Sequence, residues 1–162
     1  MLENWCYEKE ALELFAFHYE TGEVIPLELI EKIKASANFM EATRMMRQLS
    51  FGSVDMAWHS TNPSEIESVK DFETAAMAET KLYPSSKDTC FSTAFSHIFQ
   101  GGYSAGYYSY KWAEVLDADA FEYFSKNGIF NKEIGAKFKE HILSKGGSEH
   151  PMELYKKFRG QE

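Results

Sequence analysis

The sequence predicts an all-α protein of about seven or eight helices. Three observations predict it. Apolar residues recur at three- and four-residue spacing along most of the chain. No segment keeps a period-two alternation bounded by turn residues, as a half-buried strand would. The breaks carry Gly, Pro, Asn and Ser in positions that start or stop helices.

Leu2, Trp5 and Cys6, then Ala11, Leu12, Phe15, Ala16 and Tyr19, predict a first amphipathic helix stopped by Thr21-Gly22. Pro26 suits a first helical turn, and Leu27, Ile30 and Ile33 give the second helix one apolar face through about Lys34. The stretch from Phe39 to Trp58 carries Met45, Met46, Leu49, Val54 and Met56 and reads as a substantially buried helix. Gly52 within it is expected to admit a neighbouring helix closely. Thr61-Asn62-Pro63-Ser64 breaks the chain, and Ser64 with Glu67 has capping-box spacing for a helix to about Tyr83. Pro84 to Asp88 is a loop. A short helix from Thr93 to Phe99 ends at Gly101-Gly102, and Tyr103 to Ser125 reads as one long helix closed by Asn127-Gly128. Asn131 to Ser144 forms the next, stopped by Gly146-Gly147, and Pro151 to Phe158 the last, before Gly160.

The chain has 162 residues, 44% hydrophobic and 26% charged, which supports a buried core and excludes intrinsic disorder. Its net charge of -8 argues against nucleic acid and against an anionic membrane surface. No apolar run approaches the ~18–20 residues of a membrane span. Cys6 and Cys90 are too few for a disulfide framework and are expected as buried free thiols in a reducing compartment, the cytoplasm. The five histidines form no H-E-x-x-H, no C-x-x-C is present, and no G-x-S-x-G marks a nucleophile. By itself the chain is therefore expected to bind no metal.

The densest chemistry lies between Phe95 and Tyr110. Tyr103, Tyr107 and Tyr110 stand at i, i+4 and i+7, so one predicted helical face carries all three. Ala105 and Gly106 thin that helix, and the Gly101-Gly102 pair lets His97 sit beside Tyr103. Such a stripe is commonly core packing. A face of neutral hydroxyl donors with one imidazole also suits a substrate carbonyl that becomes an oxyanion, because phenols with a pKa near ~10 stay protonated at neutral pH. It can polarise a carbonyl but cannot generate a nucleophile.

At these residues the sequence resembles the thimet oligopeptidase-like zinc metallopeptidases, the family of oligopeptidase A and dipeptidyl carboxypeptidase. The resemblance covers essentially the whole chain. It is strongest at Met1–Cys6, at His97–Tyr110 with Trp112-Ala113-Glu114-Val115, and at Gly146–Glu149 leading into Phe158-Arg159-Gly160. His18–Gly22 and Arg47-Gln48-Leu49 also look like the oligopeptidase A branch.

The resemblance implies a zinc peptidase acting on short peptides. Residues 1–162 would be a single helical subdomain, the C-terminal part of a larger catalytic domain. The family holds zinc with the two histidines of H-E-x-x-H and a downstream glutamate. That segment is expected upstream of Met1, so the chain alone is expected to be inactive and zinc-free. In the family, zinc lowers the pKa of a water that attacks the peptide carbonyl.

By resemblance, Tyr103 and Tyr110 contact the carbonyl and oxyanion. His97, Tyr107, Gly101 and Gly102 would bind the substrate backbone, and Glu3 would orient a zinc ligand. The implied partners are short peptides and the remainder of the catalytic domain. Two other readings stand beside this one: a non-catalytic helical module that binds peptides, and a structural helical protein whose tyrosines only pack.

Overall fold

The structure is a computed structural model that describes residues 1–161. Eight α-helices occur among the described residues, joined by turns and short 3-10 segments. The all-α class is as expected; the only β pairing among the described residues is an isolated antiparallel bridge between Phe17 and Val24. The chain forms two compact units, Met1–Glu31 with 114–161, and Lys32–Ala113.

The first unit opens with a 3-10 segment, Leu2–Tyr7, and a single helical turn, α1 (Lys9–Leu12). The single helix expected up to Tyr19 is not formed. Past Leu12 the chain turns back on itself instead: the His18 amide donates to the Glu23 carbonyl at 2.8 Å and Ile25 to Ala16 at 2.9 Å. Gly22, at φ +70, closes this hairpin rather than a helix. Local pairing satisfies the backbone here, and Phe15, Phe17 and Tyr19 are left exposed.

Helix α2 (Leu27–Ser36), which runs on into the second unit, starts just after Pro26, as expected. Three more helices complete this unit: α6 (Ser109–Asn127), which begins in the second unit, α7 (Lys132–Phe138) and α8 (Pro151–Arg159). Asn131 caps α7 by accepting from the Glu133 and Ile134 amides. The helix then widens into a π turn, Lys139–Leu143.

Ala120, Phe124, Ile134, Tyr155 and Phe158 form the core of this unit, with Trp5 packed against them. Trp5 meets Phe121 and Phe124 edge-on at 4.8 and 5.0 Å and donates its indole N–H to the Ile129 carbonyl at 2.9 Å. An apolar side chain as buried as Phe158 contributes roughly 1.5–3 kcal/mol.

The second unit is built on α3 (Glu41–Ser60). Its buried residues are Ser50, Phe51, Val54 and Asp55. Phe39, Met40, Leu49 and Met56 are exposed, so the helix buries a stripe rather than most of its surface. A Cβ at Gly52 would meet no atom of a neighbouring element within 4 Å, so no helix among the described residues approaches it closely.

Helix α4 (Val69–Ala76) is capped by Ser68, which accepts from the Asp71 amide, and not by Ser64. Ser64 lies in a 3-10 turn, Pro63–Glu65, where the Asn62 side chain accepts its N–H. Pro63 opens that turn, where its fixed φ suits a first position, and the helix cap falls four residues later than the spacing predicts. Helix α5 (Phe91–Ala94) and a 3-10 turn, Ser96–Ile98, follow the expected loop. Phe51, Val54, Met77, Phe95 and Ile98 form the core of this unit, with Trp58, Phe91 and Tyr107 packed around it.

The cysteines differ from expectation. Cys6 is exposed and Cys90 half-buried, and both are free thiols. Cys90 stands at the N-cap of α5 and its Sγ lies 3.4 Å from Glu73.

Candidate functional site

The tyrosine segment is not a helix. Residues 101–108 form a series of turns, and α6 starts only at Ser109. Helical spacing predicted the face from the wrong geometry, because Ala105 takes a left-handed φ of +52 that interrupts any α-helix. Gly101, at φ +102, supplies the preceding reversal, and Gly102 continues it. The turns are fixed by local bonds: Ser104 Oγ donates to the Ile98 carbonyl at 2.6 Å, and the Gly106 amide to the Tyr103 carbonyl at 2.9 Å.

The rings still converge. Tyr103 stacks on Tyr110 with ring centres 5.0 Å apart and an interplanar angle of 21°. Tyr107 lies 5.0 Å from Tyr110 and 6.4 Å from Tyr103. The His97 ring is 6.1 Å from Tyr103 and 6.3 Å from Tyr107, edge-on to the latter. Four of the expected residues therefore share one wall, with Gly101 and Gly102 in the turn that joins its two halves. Glu3 is exposed on the opening 3-10 turn of the first unit.

The wall is graded in burial. Tyr107 packs edge-on against Phe51 and Phe95, at 5.7 and 4.9 Å, and ties the wall to the core. Tyr103 is half-buried, while Tyr110 and His97 are exposed.

The Tyr107 and Tyr110 phenols are held neutral. Burial pushes the Tyr107 hydroxyl above its ordinary value of 10; the Arg47 charge opposes this and the Tyr103 hydroxyl adds to it. A hydrogen bond with Tyr103 raises Tyr110 in the same sense, followed by burial. Phenols shifted upward remain protonated donors throughout the neutral range. The wall can thus present hydrogen bonds to an acceptor that gains negative charge.

One residue of the site was not singled out by its sequence pattern. Asp55 is fully buried on α3. Its Oδ1 accepts from the Ala105 amide and its Oδ2 from the Tyr107 amide, both at 2.9 Å. His59 Nδ1 lies 2.9 Å from Oδ1. The available signal was a lone acid sharing a helical face with Phe51 and Trp58, four residues before and three after it, which must find donors if it is buried.

A separate cavity of about 460 Å³ in this unit is lined by Arg47, Phe51, Met77, Tyr83 and Phe91, among others. Its buried carboxylate, Glu73, is already engaged by the Phe91 and Ser92 amides at 2.9 and 2.7 Å.

Zinc is implied by the resemblance, and the residues of this chain do not fit it on their own. Among the described residues no group of three or more His, Cys, Asp or Glu side chains comes together to hold a metal ion. Nor is any helix among the described residues long and apolar enough to cross a membrane.

The description "Peptidase family M3" matches residues 1–162. The chain is 50% identical over 165 residues to oligopeptidase A of Escherichia coli, covering 99% of this chain and 24% of the relative. It is 48% identical over 162 residues to oligopeptidase A of Salmonella typhimurium, with the same coverage. Dipeptidyl carboxypeptidase of Escherichia coli is 37% identical over 161 residues, 98% of this chain and 24% of that protein. The chain thus spans about a quarter of the length of the curated relatives it matches.

Proposed function

The chain belongs to peptidase family M3, and from that premise we propose that it supplies the substrate wall of a metallo-oligopeptidase that hydrolyses short peptides. The observation that carries the reading is the convergence of His97, Tyr103, Tyr107 and Tyr110, with its outer rings exposed and the Tyr107 and Tyr110 phenols raised above their ordinary value. Tyr103 and Tyr110 donate to the scissile carbonyl as it becomes an oxyanion. His97 and Tyr107, with the Gly101-Gly102 turn, hold the substrate backbone.

Donors aimed at developing charge act mainly on the transition state, so they act on kcat more than on KM. The nucleophile and zinc belong, in this reading, to the remainder of the catalytic domain, and this chain alone turns over nothing. In the same reading Glu3, exposed on its turn, orients a ligand supplied from there. The cell compartment is the cytoplasm, and the greater identity to oligopeptidase A than to dipeptidyl carboxypeptidase favours internal cleavage.

The test is kinetic, in the intact protein with a short fluorogenic peptide. Tyr103→Phe and Tyr110→Phe should each lower kcat by about 10²–10³-fold with little change in KM, the usual loss for one oxyanion donor. His97→Ala should raise KM instead. If both phenylalanine variants keep kcat within about twofold of the parent, the wall takes no part in the chemistry.

A further inference from the structure

We propose that Asp55 is a positioning residue: its buried carboxylate clamps the turn that carries Tyr103 and Tyr107 and so sets the geometry of the donor wall. The inference rests on the wall reading above. It starts from an asymmetry in the bonding. A fully buried carboxylate is costly unless donors surround it. The donors at Asp55 are two backbone amides of one turn, Ala105 on Oδ1 and Tyr107 on Oδ2, each at 2.9 Å, with the third place taken by His59. One rigid carboxylate thus spans both sides of Gly106.

The turn needs such a clamp. Ala105 has a φ of +52, a conformation that an L-residue with a side chain rarely adopts and that persists where the surroundings over-determine it. Tyr103 lies two residues before Ala105, and Tyr110 three residues after Tyr107. The clamped span is the link between the two stacked rings. α3 is a rigid support, since Val54 beside Asp55 is also fully buried in the core. His59 is itself fixed, with Nδ1 2.8 Å from the Asp55 carbonyl and its ring 6.1 Å from Phe99.

Asp55→Asn discriminates between clamping and plain packing. It keeps the shape but replaces one acceptor oxygen by a donor NH₂, so one of the two amides loses its partner. In the intact protein it should lower kcat at least about 10-fold with KM changed less than about threefold. Amide exchange in residues 103–108 should rise at least about 10-fold while residues 120–158 stay as protected as in the parent. The double variant Asp55→Asn/Tyr103→Phe should lose clearly less than the product of the two single losses, because both changes disturb one wall.

A kcat retained within about twofold in Asp55→Asn would overturn the proposal, and so would a double variant that multiplies the two losses. If Asp55→Asn does not fold, the parent protein still decides: the Ala105 and Tyr107 amides should exchange at least about 100-fold more slowly than an unprotected amide, and unprotected rates would overturn the clamp. Failure of the wall reading shows separately, as unchanged kcat in the two phenylalanine variants taken alone.

Discussion

Asp119 and Asp55 are both acids on helices, one in each unit, and their partners differ in kind. Asp119 on α6 is held by side chains. Arg159 of α8 donates from Nε and Nη2 at 2.9 and 3.0 Å, and the Tyr155 hydroxyl donates at 2.5 Å. Arg159 in turn lies 4.9 Å from the Tyr123 ring centre. That arrangement fastens two helices. Asp55 instead binds the backbone of a turn and so fixes where the turn puts its rings. A carboxylate paired with side chains holds elements together, whereas one paired with main-chain amides sets the path of the chain. Only Asp55, whose turn carries the tyrosine rings, should be felt in catalysis.

The comparison breaks most visibly at Asp119. Asp119→Ala leaves the Arg159 guanidinium without its partner, but Asp119 is about a third exposed, so the loss lies between the buried and surface limits. About 1–3 kcal/mol of unfolding free energy should go, with kcat intact, measured by denaturant titration and peptide turnover. Loss of kcat in the folded variant would erase the distinction.

The pH dependence carries the same sign information. The Arg159 hydrogen bond holds the Asp119 carboxyl below its usual value against the opposing effect of burial. Its contribution is therefore present above the unfolded pKa and lost as pH falls through the folded one. Burial, then the bond to Asp119, pushes the Tyr155 phenol up. That contribution is full below about 10 and disappears as pH rises through the folded value.

Glu73 sharpens the comparison, because its chemistry is that of Asp55 but it does not hold the tyrosine turn. It too is buried and accepts main-chain amides, those of Phe91 and Ser92 at the start of α5. Burial raises its carboxyl, but the bonds from Ser92, Phe91 and Cys90 outweigh this and hold it low. Glu73→Gln should cost about 1–2 kcal/mol through one unpaired amide and should leave kcat unchanged. In the parent, the Glu73 contribution should be present above about 4.5 and lost as pH falls through its depressed value, a loss that an acid titration of stability would show shrinking in the variant.

How much of this was legible follows the range of the forces. The later helices, from Asn127-Gly128 to Gly160, were readable because their caps lie within a few residues of the helix ends. The hairpin at Phe17–Val24 was not, because the apolar spacing of Phe15, Ala16 and Tyr19 fits a helix equally well. The wall residues were readable as types. Their geometry was not, since the turn that replaces the expected helix depends on Asp55, about fifty residues away in sequence.

Gly52 gives the smallest effect and the opposite sign. The spacing of α3 predicted a close neighbour there, yet a Cβ would meet nothing within 4 Å. The residue sits in the interior of a helix, where glycine loses more conformational freedom on folding than alanine does. Gly52→Ala should therefore raise stability by roughly 0.5–1 kcal/mol. Gly101, at φ +102, forms the control, since alanine there adopts a strained backbone and should destabilise. The pair separates two reasons for a glycine that sequence pattern alone runs together: a conformation only glycine takes easily, and space only glycine leaves. If Gly52→Ala instead weakens the intact protein, a surface outside residues 1–161 packs against that face of α3, three residues from Asp55. The support of the clamp would then be shared with that surface rather than supplied by this unit alone.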